Sequence, residues 1–302
     1  MPGDPPFALP DVLALLAPVF ALLIAAEALW LLAQARGFDW RNAAASLATG
    51  AGSVLANMLT GAAVAAAYYG VYRYRLFDIP WAWWSMALCF AAEDFAHYWQ
   101  HRLSHERRWL WASHIAHHTS EQFNLSTAFR QPWTSALGLA FVFWLPLAWI
   151  GFPPPMVFFF SAISFAYQFW LHTEAIGRLG LFEHVLNTPS HHRVHHAVNP
   201  GYLDANYGGV LILWDRIFGT FAGERAQEKP RYGLIGGSVS FNPVRIALRE
   251  WAAIGRDLGD ARRLRDALGY VVGPPGWRPD GARSTSQGRR ADWAAAEGDA
   301  PP

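Results

Sequence analysis

Charged residues are scarce in this sequence. Of its 302 residues, 16% are Asp, Glu, Lys or Arg, against about 25% in an ordinary soluble domain. Hydrophobic residues make up 53% of the chain. The formal net charge is +1 and no basic block stands out, so the sequence predicts no nucleic-acid partner. This composition favours a protein in contact with lipid.

Cysteine and early positive charge are also nearly absent. Cys89 is the single cysteine, which excludes an internal disulfide, and its place in an apolar segment predicts a small buried side chain. No Lys or Arg precedes Arg36. The first apolar segment therefore lacks the charged start of a signal peptide, and we expect it to be a retained anchor.

Apolar segments long enough to cross a bilayer recur along the chain. A membrane-spanning helix needs about 20 predominantly apolar residues, and the segments at 12–32, 43–69, 79–95 and 133–152 approach or exceed that length. A fifth segment, 156–171, is shorter. We therefore expect an all-α, polytopic membrane protein.

Histidine is concentrated in the middle of the chain, where all twelve histidines lie between His97 and His196. Most fall into three arrays, in HYWQHRLSH, HIAHH and HHRVHH, with members three or four residues apart. Residues at that spacing share one face of a helix. We expect the lone His184 to lie at the surface. The array members are His97, His101 and His105, then His114, His117 and His118, then His192, His195 and His196.

This number of histidines predicts two metal ions. Neutral imidazole binds Fe, Zn, Cu and Ni, and a tetrahedral zinc site uses three or four ligands. The HRLSH box and the two HxxHH boxes supply eight imidazoles, too many for one ion. The sequence has no Glu-x-x-His pair, which disfavours a carboxylate-rich di-iron bundle. A histidine-rich pair of irons that activates O₂ is the remaining economical interpretation.

Two acids lie in the third apolar segment. Asp94 precedes His97 by three residues and His101 by seven, on the same helical face. We predict that Asp94 accepts a hydrogen bond from an imidazole and so fixes its tautomer. The alternative is that Glu93 and Asp94 only mark where the helix leaves the bilayer.

Arginines predict the orientation of the site. Arg36 and Arg41 flank the first loop, on the side where the third and fifth segments end. By the positive-inside rule this side is the cytoplasm, although Arg73 and Arg75 lie in the opposite loop and argue the other way. We therefore expect a cytoplasmic, histidine-rich helical cap that holds the metal site.

The three boxes resemble those of the fatty acid hydroxylase and sterol desaturase superfamily, membrane enzymes with a non-haem di-iron centre. FNLSTAFRQ at 123–131, YQFWLHTE at 167–174, LNTPSHHRVHH at 186–196, Asn-Tyr-Gly at 206–208 and WDRIFGT at 214–220 resemble its alkylglycerol monooxygenase branch. The resemblance covers about 94–241. It implies that Glu106 is an acid beside the first box. It also implies that the iron ligands are His101, His105, His114, His117, His118, His172, His192, His195 and His196.

The resemblance also implies the reaction and its partners. It predicts an O₂-dependent monooxygenase that oxidises a lipid C–H bond, the ether-linked carbon of an alkylglycerol, with electrons from an outside donor that is tetrahydrobiopterin in this branch. His97 departs from the branch and is closer to the sterol methyl oxidase pattern, so whether His97 and His191 are ligands stays open. The same centre could hydroxylate or desaturate a fatty acyl or sterol substrate.

The alternative from another class is a histidine-rich metal transporter. Its ligands should lie near the bilayer midplane, whereas these histidines follow the apolar segments, which favours the enzyme.

We divide the chain into an N-terminal membrane region (1–78), a catalytic domain (79–241), an amphipathic helix on the membrane or over the site (242–272), and a disordered tail without function (273–302). The sequence does not indicate the oligomeric state.

Overall fold

The computed structural model describes residues 5–237, 239–281 and 285–298. Within these ranges the chain is helical and has no β-strand, only an isolated antiparallel bridge between Leu186 and Leu211, so the predicted all-α class is confirmed. The helices are α1 (Val12–Ala33), α2 (Trp40–Tyr72), α3 (Trp83–Glu106), α4 (Arg108–His118), α5 (Leu145–Ile150), α6 (Pro154–Phe169), α7 (Pro189–His196), α8 (Leu213–Ile217), α9 (Pro243–Asp260), α10 (Leu264–Val272) and α11 (Ser286–Gly298).

The first two helices, α1 and α2, are long and apolar enough to cross a membrane. Each begins at an aspartate that accepts backbone N–H groups of the first turn, Asp11 in α1 and Asp39 in α2, which satisfies donors that have no partner within the helix. Large apolar side chains project from both helices, with Leu22 70% and Leu59 85% exposed. Such a surface suits lipid, and the protein is a membrane protein.

The third helix, α3, joins the apolar region to the first histidine box. It runs without a break from Trp83 to Glu106, so the predicted third span and the box lie on one rigid element. Cys89 is fully buried in a core formed by α2, α3, α5 and α6, as expected from its sequence context. The short α6 has 16 residues, or about 24 Å at 1.5 Å per residue, which is less than the roughly 30 Å of a bilayer core.

The predicted fourth span is wrong. Residues 133–152 form turns, a short 3₁₀ segment (Ala140–Trp144) and the six-residue α5. Leu139 has a left-handed backbone with φ +57°, which cannot continue a helix. A Cβ on Gly138 would lie 2.5 Å from Ser113 Oγ, so the chain bends against α4 at this point. Mean hydropathy does not register these local constraints.

The C-terminal helices cover the region around α4. Asn242 caps α9 by accepting the N–H groups of Val244 and Arg245, and α9 packs against α4 and the start of α2. Arg108 of α4 forms ion pairs with Glu250 (2.7 Å) and Asp257 (2.6 Å) of α9. The segment predicted as one amphipathic helix, 242–272, forms two helices, α9 and α10.

The predicted disordered tail differs from the structure. Residues 286–298 form α11, and Ser286 Oγ donates to Asp204 Oδ2 over 2.6 Å. Arg290 donates to the carbonyl of Leu203 over 3.0 Å, and the Trp293 ring packs on Gly201. The Pro- and Gly-rich composition suggested disorder because it has little apolar surface, but these contacts provide enough partners for a helix. The remaining residues of the tail, 282–284 and 299–302, lie outside the described part.

Candidate metal centre

Four segments bring the histidines together. The helix α3 presents His101 and His105 one turn apart, and α4, which begins two residues after α3 ends, carries the second array. Arg107 between them is extended, with φ −126° and ψ 121°, so the chain turns and α4 packs back on α3. His172 follows the end of α6 by three residues, and the third array lies on α7, which starts with Pro189 at its first position.

The imidazoles form two adjoining groups, and within each group the ligand atoms lie within 4.8 Å of one another. The structure thus brings together all nine histidines that the sequence analysis named as ligands. The stacked rings of His118 and His196, with centroids 4.4 Å apart, join the two groups. The five-histidine group contains His101, His105, His114, His118 and His195, and the four-histidine group contains His117, His172, His192 and His196.

Backbone carbonyls fix the tautomers of four of these rings. A carbonyl only accepts hydrogen bonds, so a ring nitrogen within bonding distance of it must carry the proton. The Nδ1 atoms of the four rings each donate in this way, which leaves an unprotonated lone pair on Nε2. The pairs are His101 with Tyr207 (2.9 Å), His195 with Ala205 (2.9 Å), His117 with Arg130 (3.2 Å) and His172 with Gln168 (2.9 Å).

The arrangement of the Nε2 atoms fits a bound cation. Nε2 of His117 and Nε2 of His172 lie 3.1 Å apart, yet neither carries a proton, so no hydrogen bond joins them. Two lone pairs at this distance repel unless a cation lies between them. With metal–nitrogen bonds of about 2.0–2.1 Å, two ligands at a right angle have nitrogens roughly 3 Å apart. The four-histidine group therefore has the donor set and spacing of a metal site.

Sequence comparisons identify the domain that carries these groups. Residues 86–220 match the family model for fatty acid hydroxylase. They are a fatty acid hydroxylase domain. The alkylglycerol monooxygenase of Xenopus tropicalis is 41% identical over 223 residues, which cover 72% of this chain and 48% of the relative. The alkylglycerol monooxygenase of Homo sapiens is 36% identical over 274 residues, covering 89% and 61%.

A bacterial relative is more distant. The ornithine lipid hydroxylase OlsE of Rhizobium tropici is 28% identical over 157 residues, which cover 51% of this chain and 47% of the relative. This chain spans 48% to 61% of the length of the alkylglycerol monooxygenases that it matches. No solved structure matches it. The fatty acid hydroxylase domain includes all nine grouped histidines, but α1 and α2 precede it.

Burial keeps the histidines of the hydroxylase domain neutral. Withdrawal from water lowers the pKa of His105, His114 and His196 well below the usual range, because the charged form loses its hydration. Burial also lowers the pKa of His117 to about 4. Neutral imidazole is the form that binds a metal, so these rings can bind metal without first losing a proton.

Among the described residues, Asp94 accepts no hydrogen bond from an imidazole, so its predicted role is wrong. Oδ1 accepts the N–H of Val210 over 2.7 Å, while Oδ2 accepts the N–H of Leu211 over 3.0 Å and the indole N–H of Trp214 over 2.9 Å. The three-residue spacing to His97 put Asp94 on the predicted face of α3. These donors take the place of the predicted imidazole partner, because the segment before α8 packs on that face.

Glu106 lies at the edge of the site. Its Oε1 accepts from Arg102 Nε over 2.8 Å, one helical turn away, and the side chain is 23% exposed. Arg102 also donates to the Tyr98 hydroxyl over 3.1 Å. Glu106 thus forms an ion pair with Arg102 rather than a hydrogen bond to any grouped histidine that the structure records. Its contacts indicate that it orients Arg102.

The three other histidines lie outside both groups. His97 is half-buried beside Trp144, with ring centroids 6.4 Å apart, and its Nε2 has no hydrogen-bond partner among the described residues. His191 packs edge-on against Phe221, and its Nε2 lies 4.0 Å from Glu183 Oε2. His184 is exposed, as expected. The geometry therefore assigns neither His97 nor His191 to a metal position.

Glu27 and Arg130 support the site and were missed in the sequence analysis. Glu27 of α1 accepts the N–H of Leu125 over 2.6 Å and the hydroxyl of Thr173, the residue after His172. Glu27 has the same sequence feature that drew attention to Glu93 and Asp94, an acid within an apolar span.

Arg130 is fully buried, and its guanidinium donates to Asn42 Oδ1 of α2 over 2.8 Å. The backbone carbonyl of Arg130 accepts the Nδ1 proton of His117. The bond to Asn42 therefore links this support of His117 to α2.

A cavity of about 370 Å³ leads from the centre toward the C-terminal segments. Its lining includes His105, His118, His195 and His196, so it reaches both groups. Trp111, Ile115, Leu203 and Leu234 contribute apolar surface. The polar lining residues include Asp204, Arg249, Glu250, Ser286 and Arg289.

Proposed function

We propose that this protein is a membrane-bound non-haem di-iron monooxygenase that hydroxylates a C–H bond of a lipid. The observation that carries the proposal is the pair of adjoining groups of buried or half-buried, neutral imidazoles, four of which donate Nδ1 to a backbone carbonyl and so have an unprotonated Nε2. An iron pair would supply the activation of O₂, by which one oxygen atom enters the C–H bond and the other leaves as water. The balance requires two electrons and two protons from a donor.

Each group would hold one iron. The five-histidine group and the four-histidine group provide enough nitrogen ligands for two ions, and neither contains a carboxylate. Nitrogen-only ligation suits iron as well as zinc, so the choice of iron rests on the fatty acid hydroxylase domain. The protein's own contribution is to hold the rings neutral, to fix their tautomers and to exclude water by burial.

The proposed substrate is an ether lipid oxidised at the carbon bonded to the ether oxygen. Support comes from the relatives named alkylglycerol monooxygenase, which align with 72% and 89% of this chain. Hydroxylation of an ether carbon gives a hemiacetal, which breaks down to an aldehyde and an alcohol. Hydroxylation or desaturation of an acyl or sterol substrate would instead leave the carbon skeleton intact, so the products distinguish these candidates.

The donor that we propose is tetrahydrobiopterin, by resemblance to the same branch. The cavity supports a small donor, because it reaches the histidines and its lining offers charged hydrogen-bonding groups. A volume of about 370 Å³ is at the small end of the range for ligand pockets, about 300–1,000 Å³. If this is the donor site, Arg249→Gln should raise the KM for the donor at least severalfold and leave that for the lipid unchanged. The reverse pattern would assign the cavity to the lipid.

We propose a multi-pass protein with its site toward the cytoplasm and residues 79–241 as its catalytic unit. Arg36 after α1 forms an ion pair with Glu174, two residues from His172, over 2.9 Å, so a basic loop and the site share a face. That face is cytoplasmic by the positive-inside rule. A membrane-impermeant thiol reagent should label a Glu174→Cys variant in inverted vesicles but not in sealed right-side-out vesicles. The opposite pattern would reverse the orientation.

Metal content and product identity test the proposed reaction. Protein purified from iron-replete cells should contain about two irons per chain by elemental analysis, in line with the two groups. With tetrahydrobiopterin and a 1-O-alkylglycerol it should consume O₂ and release a fatty aldehyde. One zinc and no iron would contradict the di-iron proposal, and metal flux in proteoliposomes without O₂ consumption would favour the transporter.

A further inference from the structure

One short loop supports two ligands of the same group. The carbonyls of Ala205 and Tyr207 accept the Nδ1 protons of His195 and His101, each over 2.9 Å. Both histidines belong to the five-histidine group. Their Nε2 lone pairs, and hence their ability to bind metal, depend on where these two carbonyls lie.

The loop is held by Asp215, a residue that touches no imidazole in the structure. Its Oδ1 accepts the N–H of Tyr207 and its Oδ2 accepts the N–H of Gly208, each over 2.7 Å. Oδ1 also accepts the hydroxyl of Thr220 over 2.7 Å. Asp215 is fully buried, so these bonds are shielded from water, and hydrogen bonds to an ionised group are the stronger kind.

Asn206 fixes the other side of the loop. Its amide nitrogen donates to the carbonyls of His191 (3.0 Å) and Ala222 (2.7 Å), and its Oδ1 accepts the N–H of Ala222 over 2.9 Å. The residue is fully buried and has φ +58°, a left-handed conformation that Asn tolerates better than most residues. This backbone turns the two flanking carbonyls toward the site.

The four-histidine group uses different supports. His117 donates to the carbonyl of Arg130 and His172 to that of Gln168, in other parts of the chain. The described contacts therefore divide the supports of the centre by group. A change in the 205–208 loop should disturb one group and leave the carbonyls that support the other in place.

We propose that Asp215 and Asn206 are positioning residues that control metal binding at the five-histidine group alone. This rests on the proposed two-metal centre. The carboxylate and amide hold the 205–208 loop, the loop sets the Nδ1-protonated tautomers of His101 and His195, and the paired Nε2 atoms then bind the ion. Loss of residues that orient metal ligands typically reduces affinity 10- to 100-fold.

The test is an anaerobic titration of metal-free, full-length protein with Fe(II). Wild type should bind two irons, and Asp215→Asn, which removes one backbone acceptor, should bind one as before and the other 10- to 100-fold more weakly. Mössbauer spectra of ⁵⁷Fe-loaded protein at one equivalent should then show a single environment. Two irons bound with wild-type affinity, or equal weakening of both, would overturn the proposal.

The matched control is Asp94→Asn. Asp94 is also fully buried and also accepts two neighbouring backbone N–H groups, from Val210 and Leu211, but this segment supplies no carbonyl to a grouped histidine. Asp94→Asn should keep both iron affinities. If Asp215→Asn does not fold, Asn206→Gly takes its place, because glycine adopts the left-handed conformation freely and only the side-chain bonds are lost. A wild type without iron would instead refute the proposed function.

Discussion

His117 and His172 face each other with Nε2 atoms 3.1 Å apart, and each donates its Nδ1 proton to a backbone carbonyl. The contact joins α4 to the segment after α6, two elements that lie far apart in the chain. Two facing lone pairs repel each other, so this spacing favours a cation bound between them.

Removing one of these rings should empty one metal position. His117→Ala and His172→Ala should each reduce iron from about two to about one per chain and abolish turnover, since an imidazole ligand is lost from the four-histidine group. Elemental analysis and an O₂-consumption assay measure the two effects. His184→Ala, at an exposed histidine outside both groups, is the control and should change neither value. Retained activity in both variants would remove these residues from the site.

Acid should destabilise the metal-free protein. Folding lowers the pKa of His117 from its ordinary value of about 6.5 to about 4, and burial lowers the pKa of other grouped histidines well below the usual range. Below about pH 6.5 the unfolded chain therefore binds more protons than the folded one, so the free energy of unfolding falls as pH falls. Each such ring contributes about 1.4 kcal/mol per pH unit until the pH reaches its folded pKa.

Thermal unfolding of metal-free protein in detergent, measured from pH 7.5 to pH 5, provides the check. The midpoint should be nearly constant above pH 7 and should fall steeply below pH 6.5. A Tm that does not change between pH 7 and pH 5 would show that the histidines do not have the lowered pKa values of buried groups.

Glu27 should matter although it lies in the first span. Glu27→Leu leaves the N–H of Leu125 and the hydroxyl of Thr173 without their acceptor, and each buried unsatisfied group costs about 1–3 kcal/mol. We expect a lower Tm and weaker iron binding at the four-histidine group, since Thr173 follows His172. Glu27→Gln keeps an acceptor oxygen and should show a smaller effect. Wild-type Tm and iron content in Glu27→Leu would show that these bonds are dispensable.

Arg108 should be needed to hold α9 on α4. Arg108→Met leaves Glu250 and Asp257 without this partner, in a place where the Arg108 side chain is 8% exposed. Removing one partner of a buried ion pair costs about 3–5 kcal/mol; these carboxylates are partly exposed, and Asp257 keeps Arg278, so we expect the lower end. Denaturant unfolding measures the loss. Adding Glu250→Gln to Arg108→Met should recover part of it, and no recovery would mean that packing, not charge, holds the helix.

The histidines that the structure groups were predictable from the sequence because their spacing is local. Histidines three or four residues apart share a helical face whatever the tertiary structure, and the motifs around them, including that of His172, resemble a known family. Their division into groups of five and four was not predictable. It depends on how α3, α4, α7 and the segment after α6 pack, and the sequence order does not contain that information.

The incorrect predictions have the same origin. The periodicity of α3 predicts which helical face carries Asp94, but it does not predict the backbone segment that packs on that face. Hydropathy identifies an apolar run at 133–152, but it does not predict the left-handed conformation of Leu139 within that run. Asp215 and Arg130 support ligands through backbone carbonyls. Such contacts leave no spacing pattern in the chain.

In the proposed multi-pass arrangement, the unbroken α3 would set how far the proposed metal centre lies from the opposite membrane surface. His101 follows the exposed Trp83 by 18 residues, or about 27 Å along a helix, and the bilayer core is roughly 30 Å thick. With Trp83 at one headgroup layer, the centre is level with the other. A lipid in that leaflet can bring the carbons beside its headgroup to the centre without leaving the leaflet. The far end of its hydrocarbon chain would have to fold back to reach the same place. We therefore expect oxidation next to the headgroup, which mass spectrometry of the product will locate.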